Sequence, residues 1–274
     1  MRLKFFAASF AILFAHTMAA AAPNPPALME PSGPWNVDFA DKMCLLIRPY
    51  GKDRTTYLTL KPAMLGDSLE IIVTKAATAP RDGRSGKAAL TVAGTPLAAE
   101  TYFTAYSTAK TRLLRIWIKE DALALSAVRN TLQIDAKPEG RHLFAIPGIE
   151  NALPILTKCL DQLRTAYKVS NTDLAAIVSE PKAELAAIFS TEDYPYEAYS
   201  EGKGGTVGVL FWIEATGRVS TCEVIESSAL PVLEKATCDV LTKRAKYSPA
   251  KDAEGRAVRA PSFSRVRWMP WPGY

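Results

Sequence analysis

The chain has 274 residues, 48% of them hydrophobic and 22% charged, and carries a formal net charge of +5 at pH 7. These values are ordinary for a globular protein with one large or two small domains. The positive charge is modest, and the Lys and Arg residues form no block or stripe. The composition therefore argues against a nucleic-acid-binding protein.

The N-terminus has the features of a secretion signal. Arg2 and Lys4 precede an apolar run over residues 5–14, and the alanines at 19–21 offer a small-residue cleavage site. We therefore predict a signal peptide over residues 1–22 and export of the mature chain. The alternative is an uncleaved anchor in the inner membrane, facing the periplasm, because this segment approaches the roughly 18–20 residues that span a bilayer.

A β-rich domain follows the signal. The proline-rich residues 23–34 predict a short linker, and residues 35–167 predict a mostly antiparallel β-domain whose role the sequence does not indicate. Residues 121–129 predict a short helix or another strand. Six strands are predicted from short apolar or alternating runs between turn residues: Met43 to Ile47, Thr56 to Leu60, Leu69 to Thr74, Ala88 to Val92, Leu113 to Ile118 and Thr131 to Ile134.

A helix is predicted to close this domain. Residues 147–167 carry apolar side chains at three- and four-residue steps, which indicates one buried stripe along a helix. Residues 168–190 then form a polar connector. A short helix is predicted from Pro181 to Ser190, because proline is favoured in a first helical turn.

The four cysteines favour disulfide bonds, since the chain is predicted to be exported. Cys44 and Cys159 lie in the first domain, and Cys222 and Cys238 lie in the C-terminal region. The sequence allows three pairings, of which we favour the one that keeps each bond within its own domain. Free structural thiols are the alternative. No pair has the C-x-x-C spacing of a zinc site.

Residues 191–270 predict a second, smaller domain that begins with an antiparallel hairpin. Thr206 to Ala215 alternates, with Val207 and its alternate neighbours on one face and Leu210 and Trp212 on the other. A turn at Gly217 returns the chain as a second strand, which ends at residue 226.

An amphipathic helix and a last strand complete this domain. Ser227 or Ser228 is placed to cap the helix, Pro231 lies just inside its start, and Pro249 is expected to end it. The last strand follows residue 255 and ends at Trp268. We therefore predict an α+β protein: a mostly antiparallel β-domain closed by a helix, followed by a small ββαβ domain.

The order of these C-terminal elements resembles the C-terminal domain of the TonB family. The residues that match the family's motif are Tyr194, Pro195, Gly217, Ser227 and Pro249. Proteins of this family cross the periplasm of Gram-negative bacteria and pull on outer-membrane receptors. The resemblance implies a periplasmic protein-interaction module, associated with TonB-dependent transmembrane transport, and not an enzyme.

The resemblance also implies where a partner binds. In the family, the receptor's short N-terminal box adds to the last strand, whose unpaired N–H and C=O groups accept an extended peptide. Arg265 and Arg267 would flank an acidic or polar peptide, or else keep an open edge soluble. The predicted partner-binding edge strand consists of Ser262, Phe263, Ser264, Arg265, Val266, Arg267 and Trp268.

The implied partner is a TonB-dependent outer-membrane receptor or another envelope component. A homodimer through the same edge strand is an alternative. The chain departs from the family's energy transducers in two ways: Ser9 and His16 are seven residues apart where the family has four, and a β-rich domain stands in place of a long spacer. A membrane-anchored energy transducer is therefore the second hypothesis, after a released binding module.

Enzyme chemistry is not indicated by the sequence. We find no catalytic or phosphate-binding motif, and we predict no catalytic, cofactor-binding or metal-binding residue and no cofactor. His142 is the one histidine after the signal segment. A secreted enzyme in the N-terminal domain is the third hypothesis, and it would need a cleft at His142 with a carboxylate and a Ser or Thr nucleophile.

Overall fold

A computed structural model describes residues 26–40, 42–66, 68–77, 83–97, 101–107, 110–118, 130–183 and 185–270. The predicted signal segment, residues 1–22, lies outside the described residues. So does the segment 121–129, for which a helix or a strand was predicted.

The N-terminal domain is built on one large, mostly antiparallel sheet. Its strands follow the order β1-β11-β10-β6-β8-β9-β5-β4-β3-β2, with β7 paired to β6. The strands are β1 (Leu28–Met29), β2 (Asn36–Ala40), β3 (Met43–Tyr50), β4 (Thr56–Pro62), β5 (Leu69–Ala76), β6 (Arg84–Val92), β7 (Thr95–Pro96), β8 (Thr101–Ser107), β9 (Thr111–Ile118), β10 (Thr131–Ala136) and β11 (Gly140–Ala145).

Part of the predicted linker, residues 23–34, is paired in the structure. Leu28–Met29 pairs in parallel with Leu143 and Phe144 of β11, and Pro31 bridges to Tyr50. Met29 also packs against the core. Backbone pairing and one half-buried side chain therefore order a segment whose proline content suggested a linker.

All six predicted strands of this domain are confirmed, as parts of β3, β4, β5, β6, β9 and β10. The sequence analysis missed β2, β8 and β11. β2 has largely exposed side chains, so no apolar alternation marks it. β11 begins with Gly140, Arg141 and His142, which resemble a turn more than a strand.

One face of this sheet forms the core of the domain. Leu58, Ile71 and Ile116 each expose 0% of their surface, and they alternate with residues on the outer face such as Glu70 and Arg115. The Tyr50 hydroxyl donates to the Ala145 carbonyl at 2.9 Å, which satisfies a buried polar group between distant strands. Burial raises the pKa of Tyr50 well above its usual range.

The predicted closing helix is confirmed as α1 (Ile149–Ala166), with buried Leu153, Leu156 and Leu163 along one side. A short helix, α2 (Asn171–Ala175), was not predicted in the connector. Its start is fixed by Ser170, whose hydroxyl accepts from the Asp173 N–H at 2.9 Å.

The second connector helix is shorter than predicted. α3 covers Leu185–Ile188, not residues 181–190. The backbone of Ser179 pairs with Lys251 and that of Lys182 with Ser248. The start of the predicted helix is therefore held extended by pairing with the C-terminal domain. A further short helix, α4 (Tyr196–Ser200), follows.

The C-terminal domain is the predicted ββαβ unit, and the α+β fold class is confirmed. A three-stranded antiparallel sheet has the order β13-β12-β16, and one face of it packs on α5. Its elements are β12 (Gly205–Ile213), β13 (Val219–Glu226), α5 (Pro231–Arg244) and β16 (Ala260–Trp268), with a small hairpin of β14 (Ala250–Lys251) and β15 (Ala257–Val258) before the last strand.

Both ends of α5 differ from the prediction. Leu230 is the N-cap residue and makes no side-chain cap, while Pro231 lies in the first turn as predicted. Ser227 does not cap the helix; its hydroxyl donates to Glu234 Oε1 at 2.6 Å. The helix ends at Arg244, because Ala245 turns to an extended conformation four residues before Pro249.

The two domains share a continuous core. Leu210, Trp212 and Ile225 are buried on the sheet face opposite α5, in the same cluster as Leu163 and Met64 of the N-terminal domain. The C-terminal sheet therefore has two covered faces, one under α5 and one on the N-terminal domain. Among the described residues, no helix is long and apolar enough to span a membrane.

The cysteines form the pairing that keeps each bond within its domain. Cys44–Cys159 joins β3 to α1 across 115 residues of sequence, and Cys222–Cys238 joins β13 to α5 across 16. The described part of the chain contains no free cysteine.

Removing the shorter bridge should destabilise the folded chain only while the bridge can form. We expect the Cys222→Ala, Cys238→Ala double variant to lose about 3 kcal/mol of unfolding free energy in non-reducing urea titrations, the chain-entropy value for a loop of this length. In reducing buffer the wild type also lacks the bridge, so the difference should vanish. An equal difference in both buffers would show that the loss comes from packing and not from the disulfide.

Candidate functional site

The strand β16 has one paired edge and one open edge. It pairs with β12 without interruption, from Gly205 opposite Trp268 to Ile213 opposite Ala260. Among the described residues, no further strand pairs with its other edge. Helix α2 lies near β16 without a backbone hydrogen bond to it in the described part of the chain. The predicted edge strand is therefore the outer strand of the sheet.

The β12–β13 hairpin determines which backbone groups reach the open edge. The Glu214 N–H donates to the Arg218 carbonyl, so the backbone of Glu214 faces β13. Backbone groups alternate between the two edges of a strand, so that of Ile213 faces β16. Applied along the uninterrupted register, this alternation directs the N–H groups of Ser262, Ser264 and Val266 to β12.

The same alternation directs the N–H groups of Phe263, Arg265 and Arg267 to the open edge. Two observations agree with this assignment. Pro261 is an even number of residues from Phe263, so its backbone nitrogen faces the same open edge. It has no N–H, and proline is tolerated in a strand where its nitrogen faces outward. On the opposite side of the sheet, alternation places the Val224 carbonyl at the outer edge of β13, where Lys42 Nζ donates to it at 2.9 Å.

The predicted edge residues divide between the two faces of the sheet. Ser262, Ser264, Val266 and Trp268 lie on the α5 side, because they are opposite Phe211, Val209, Val207 and Gly205 of β12. Phe263, Arg265 and Arg267 lie on the side of the N-terminal domain. Phe263 packs against the shared core, and the Arg265 guanidinium lies 4.8 Å from the centre of its ring.

Trp268 is a packing residue. Its side chain is 6% exposed, and its Nε1–H donates to the Thr237 hydroxyl of α5 at 2.9 Å. The rings of Phe189 and Tyr194 meet it edge-on. Its side chain is therefore not exposed to a partner in this conformation.

Tyr194 and Gly217, two of the motif residues, make structural contacts at the C-terminal sheet. Tyr194 packs on Trp268, and its hydroxyl donates to the Lys203 carbonyl, while Pro195 precedes α4. Gly217 has a φ of 79°, and a Cβ there would collide with the Tyr247 carbonyl oxygen. Only glycine fits this turn, which fixes the start of β13.

A network of charged side chains joins β16 to the N-terminal domain. Arg265 donates to Glu226 twice, at 2.6 and 2.7 Å, and Lys61 Nζ lies 2.5 Å from Glu226 Oε1. Lys61 also lies 3.6 Å from Glu70, which accepts a hydrogen bond from Arg115. Glu70 is 3% exposed. These five side chains come from β4, β5, β9, β13 and β16.

The three N-terminal members of this network were missed by the sequence analysis. Lys61, Glu70 and Arg115 stand in strands that were predicted correctly, at positions that alternate with core residues. Their alternation shows that they face away from the core of their own domain. No signal in the sequence shows that a second sheet covers them.

The network holds Glu226 in its ionised form. Burial alone raises the pKa of this carboxyl, but the hydrogen bonds and charges of Arg265 and Lys61 lower it to about 2. The carboxylate thus stabilises the interface wherever it is ionised, and protonation removes its attraction for both cations.

Among the described residues, a cation and a carboxylate act on His142, the residue that the enzyme hypothesis invokes. It is 8% exposed, and its Nδ1 lies 3.1 Å from Lys75 Nζ. Burial and the Lys75 charge lower its pKa to about 4, against an opposing effect of Glu139. Glu139 is itself hydrogen-bonded by Arg112. An ammonium group beside a neutral imidazole is not a nucleophile paired with a general base.

Comparison with known proteins agrees with the fold of the C-terminal domain. Residues 191–269 match the family described as Gram-negative bacterial TonB protein C-terminal. No curated protein matches the chain. The match covers all three strands and the helix of the C-terminal domain, and it confirms the predicted resemblance in this third of the chain. Domains of this family are non-enzymatic and related to transport.

The depressed pKa of Glu226 predicts an acid-sensitive interface. In the folded chain this carboxyl binds its proton near pH 2, against about 4.5 for an ordinary glutamate. Its stabilisation should therefore be complete above about pH 4.5 and be lost as the pH falls toward 2, by up to about 3 kcal/mol. The free-energy difference between wild type and Glu226→Gln, from urea titrations at several pH values, should shrink over that window.

A matched control for this prediction is Glu254→Gln, since Glu254 is an exposed carboxylate in the turn before β15. Its titrations should follow those of the wild type, because exposed ion pairs contribute little. A wild-type advantage over Glu226→Gln that is the same at pH 3 and pH 7 would contradict the assigned ion pairs.

Proposed function

We propose that this chain, whose residues 191–269 form a TonB C-terminal domain, binds an extended segment of an envelope partner by strand addition to β16. The family match over residues 191–269 supports a TonB-like envelope protein associated with transport. The proposed partner is the N-terminal box of a TonB-dependent outer-membrane receptor, or an equivalent segment of another envelope component. The proposed location is the periplasm.

The observation that carries this proposal is the open edge of β16. Three backbone N–H groups, those of Phe263, Arg265 and Arg267, face outward from a strand that is fully paired on its other side. A strand with one free edge accepts a peptide through its main chain, and the added hydrogen bonds give affinity whatever the side chains are. The other edge of the sheet is less available, because Lys42 occupies the Val224 carbonyl.

The strand β16 is also held in an extended conformation by contacts on both of its faces. Val266 and Trp268 are fixed under α5, while Phe263 and Arg265 are fixed on the N-terminal domain. An edge that is already ordered loses little entropy when a partner binds, so more of the hydrogen-bond energy appears as affinity.

Two substitutions at position 267 should separate the contribution of backbone hydrogen bonding to peptide affinity from the contribution of charge. Arg267→Pro removes an outward N–H and the charge, and Arg267→Gln removes the charge alone. We expect Arg267→Pro to weaken binding of a labelled receptor-box peptide by at least about tenfold, because it removes one hydrogen bond to the peptide and disturbs the neighbouring ones. Arg267→Gln should keep most of the affinity in the same fluorescence anisotropy titrations.

The fold of the proline variant is checked by its unfolding transition. Val266→Pro provides the contrast, because it removes an N–H that faces β12 and should destabilise the sheet itself. A folded Arg267→Pro protein that binds the peptide as well as Arg267→Gln does would rule out strand addition at this edge.

A further inference from the structure

Three residues of β16 face the N-terminal domain, and each of them meets it differently. Phe263 packs against the shared core. Arg265 is held by Glu226, which also contacts Lys61 of β4. Arg267 is exposed. Backbone alternation directs the N–H groups of the same three residues of β16 to the open edge, so the contacts of their side chains bear on the binding site.

A cleft of about 1080 Å³ between the two domains begins where the packed part of this interface ends. Its lining includes Thr206 of β12, Ser227 after β13 and Arg267, and all three are exposed. Arg265 and Glu226 line both this cleft and a small cavity between the domains that also touches Phe263. The ion pair of Arg265 therefore lies between the packed half of β16 and the half that faces the cleft.

Glu226 reaches Arg265 across the central strand of the sheet because that strand has a glycine between them. Glu226 and Arg265 are both opposite Gly208 in the register. A Cβ at Gly208 would lie 2.7 Å from Oε2 of Glu226, so a larger residue there would displace the carboxylate. One carboxylate thus ties the outer strand to the far strand of the sheet.

Lys61 ties this carboxylate to the N-terminal domain. Its Nζ donates to Oε1 of Glu226 at 2.5 Å, and the two side chains are 13% and 20% exposed. Charges shielded in this way are screened less than surface charges, and removal of one member leaves the other uncompensated. The neighbouring pair of Glu70 and Arg115 also acts on Arg265, but with opposite signs.

We propose that Lys61 of the N-terminal domain is a positioning residue for the peptide-binding edge. Through Glu226 it holds Arg265 in place, and with it the backbone groups that β16 presents to an added strand. This inference rests on the proposed function, because it concerns how tightly the same edge binds. It assigns the N-terminal domain a role in binding that needs no contact with the peptide. An edge fixed beforehand loses less entropy when a partner pairs with it.

The test measures binding of a capped, labelled peptide of alternating valine and glutamine to the full chain, by fluorescence anisotropy. This peptide has no charged side chain, so a change in the charge of the protein has little direct effect on it. We expect Lys61→Met to weaken binding roughly threefold to fivefold, within the range of a partly exposed ion pair. Lys61→Arg should restore most of the affinity, because it keeps a cation at this position. Equal affinities of the wild type and a folded Lys61→Met protein would overturn the inference.

A double-mutant cycle shows whether Lys61 acts through Glu226. Lys61→Met should have no further effect on affinity in the Glu226→Gln background, because the carboxylate that Lys61 contacts is gone. As a control, Lys235→Met removes the same charge from an exposed position on α5 and should leave the affinity unchanged. An effect of Lys61→Met that is the same in both backgrounds, or that Lys235→Met reproduces, would overturn the path through Glu226.

A Gly208→Ala variant tests the same contact without a change of charge. The added methyl group should displace Glu226 from Arg265 and weaken peptide binding to a similar extent. The unfolding transition shows whether the variant is folded. A folded Gly208→Ala protein that binds the peptide as tightly as the wild type would contradict the inference.

The Arg267→Pro variant distinguishes this inference from strand addition itself. Loss of binding in Arg267→Pro, together with wild-type affinity in Lys61→Met, would overturn the role of Lys61 and leave strand addition standing. Full binding of the peptide to Arg267→Pro would overturn strand addition, and with it the edge that Lys61 is proposed to position.

Discussion

The ion pair of Glu226 with Lys61, beside a shared apolar core, joins the C-terminal sheet to the N-terminal domain, and Arg265 holds the same carboxylate from β16. Glu226 bridges β13 to both β16 and β4, and all three side chains are largely removed from water. Breaking such a pair by removing one partner leaves uncompensated charge, so the arrangement tolerates little displacement. The orientation of β16 on the N-terminal domain depends on this contact.

The C-terminal sheet has two different edges because the N-terminal domain covers only one of them. Lys42 occupies a carbonyl group on the β13 side, whereas β16 keeps its outward N–H groups and has Pro261 at the start of the same edge. Charge close to an open edge also limits pairing with the wrong strand. Arg265 and Arg267 are the charged residues of β16 on this edge.

The C-terminal domain was predictable because its signals are local. Alternation in β12, glycine in the turn at 217 and proline at the start of α5 each act within a few residues. The cysteine pairing followed from the domain division. The position of β1 and the partners of Lys61, Glu70 and Arg115 depend on contacts between distant segments. Periodicity shows which way a side chain points but not what covers it, so the cleft was beyond sequence reasoning.

Amide hydrogen exchange along β16 tests strand addition most directly. In the free chain, the amides of Ser262, Ser264 and Val266 should exchange slowly, because they pair with β12, while those of Phe263, Arg265 and Arg267 should exchange quickly. Adding a receptor-box peptide should slow the second set and leave the first set slow. Saturating peptide that binds the chain without slowing those three amides would contradict the account.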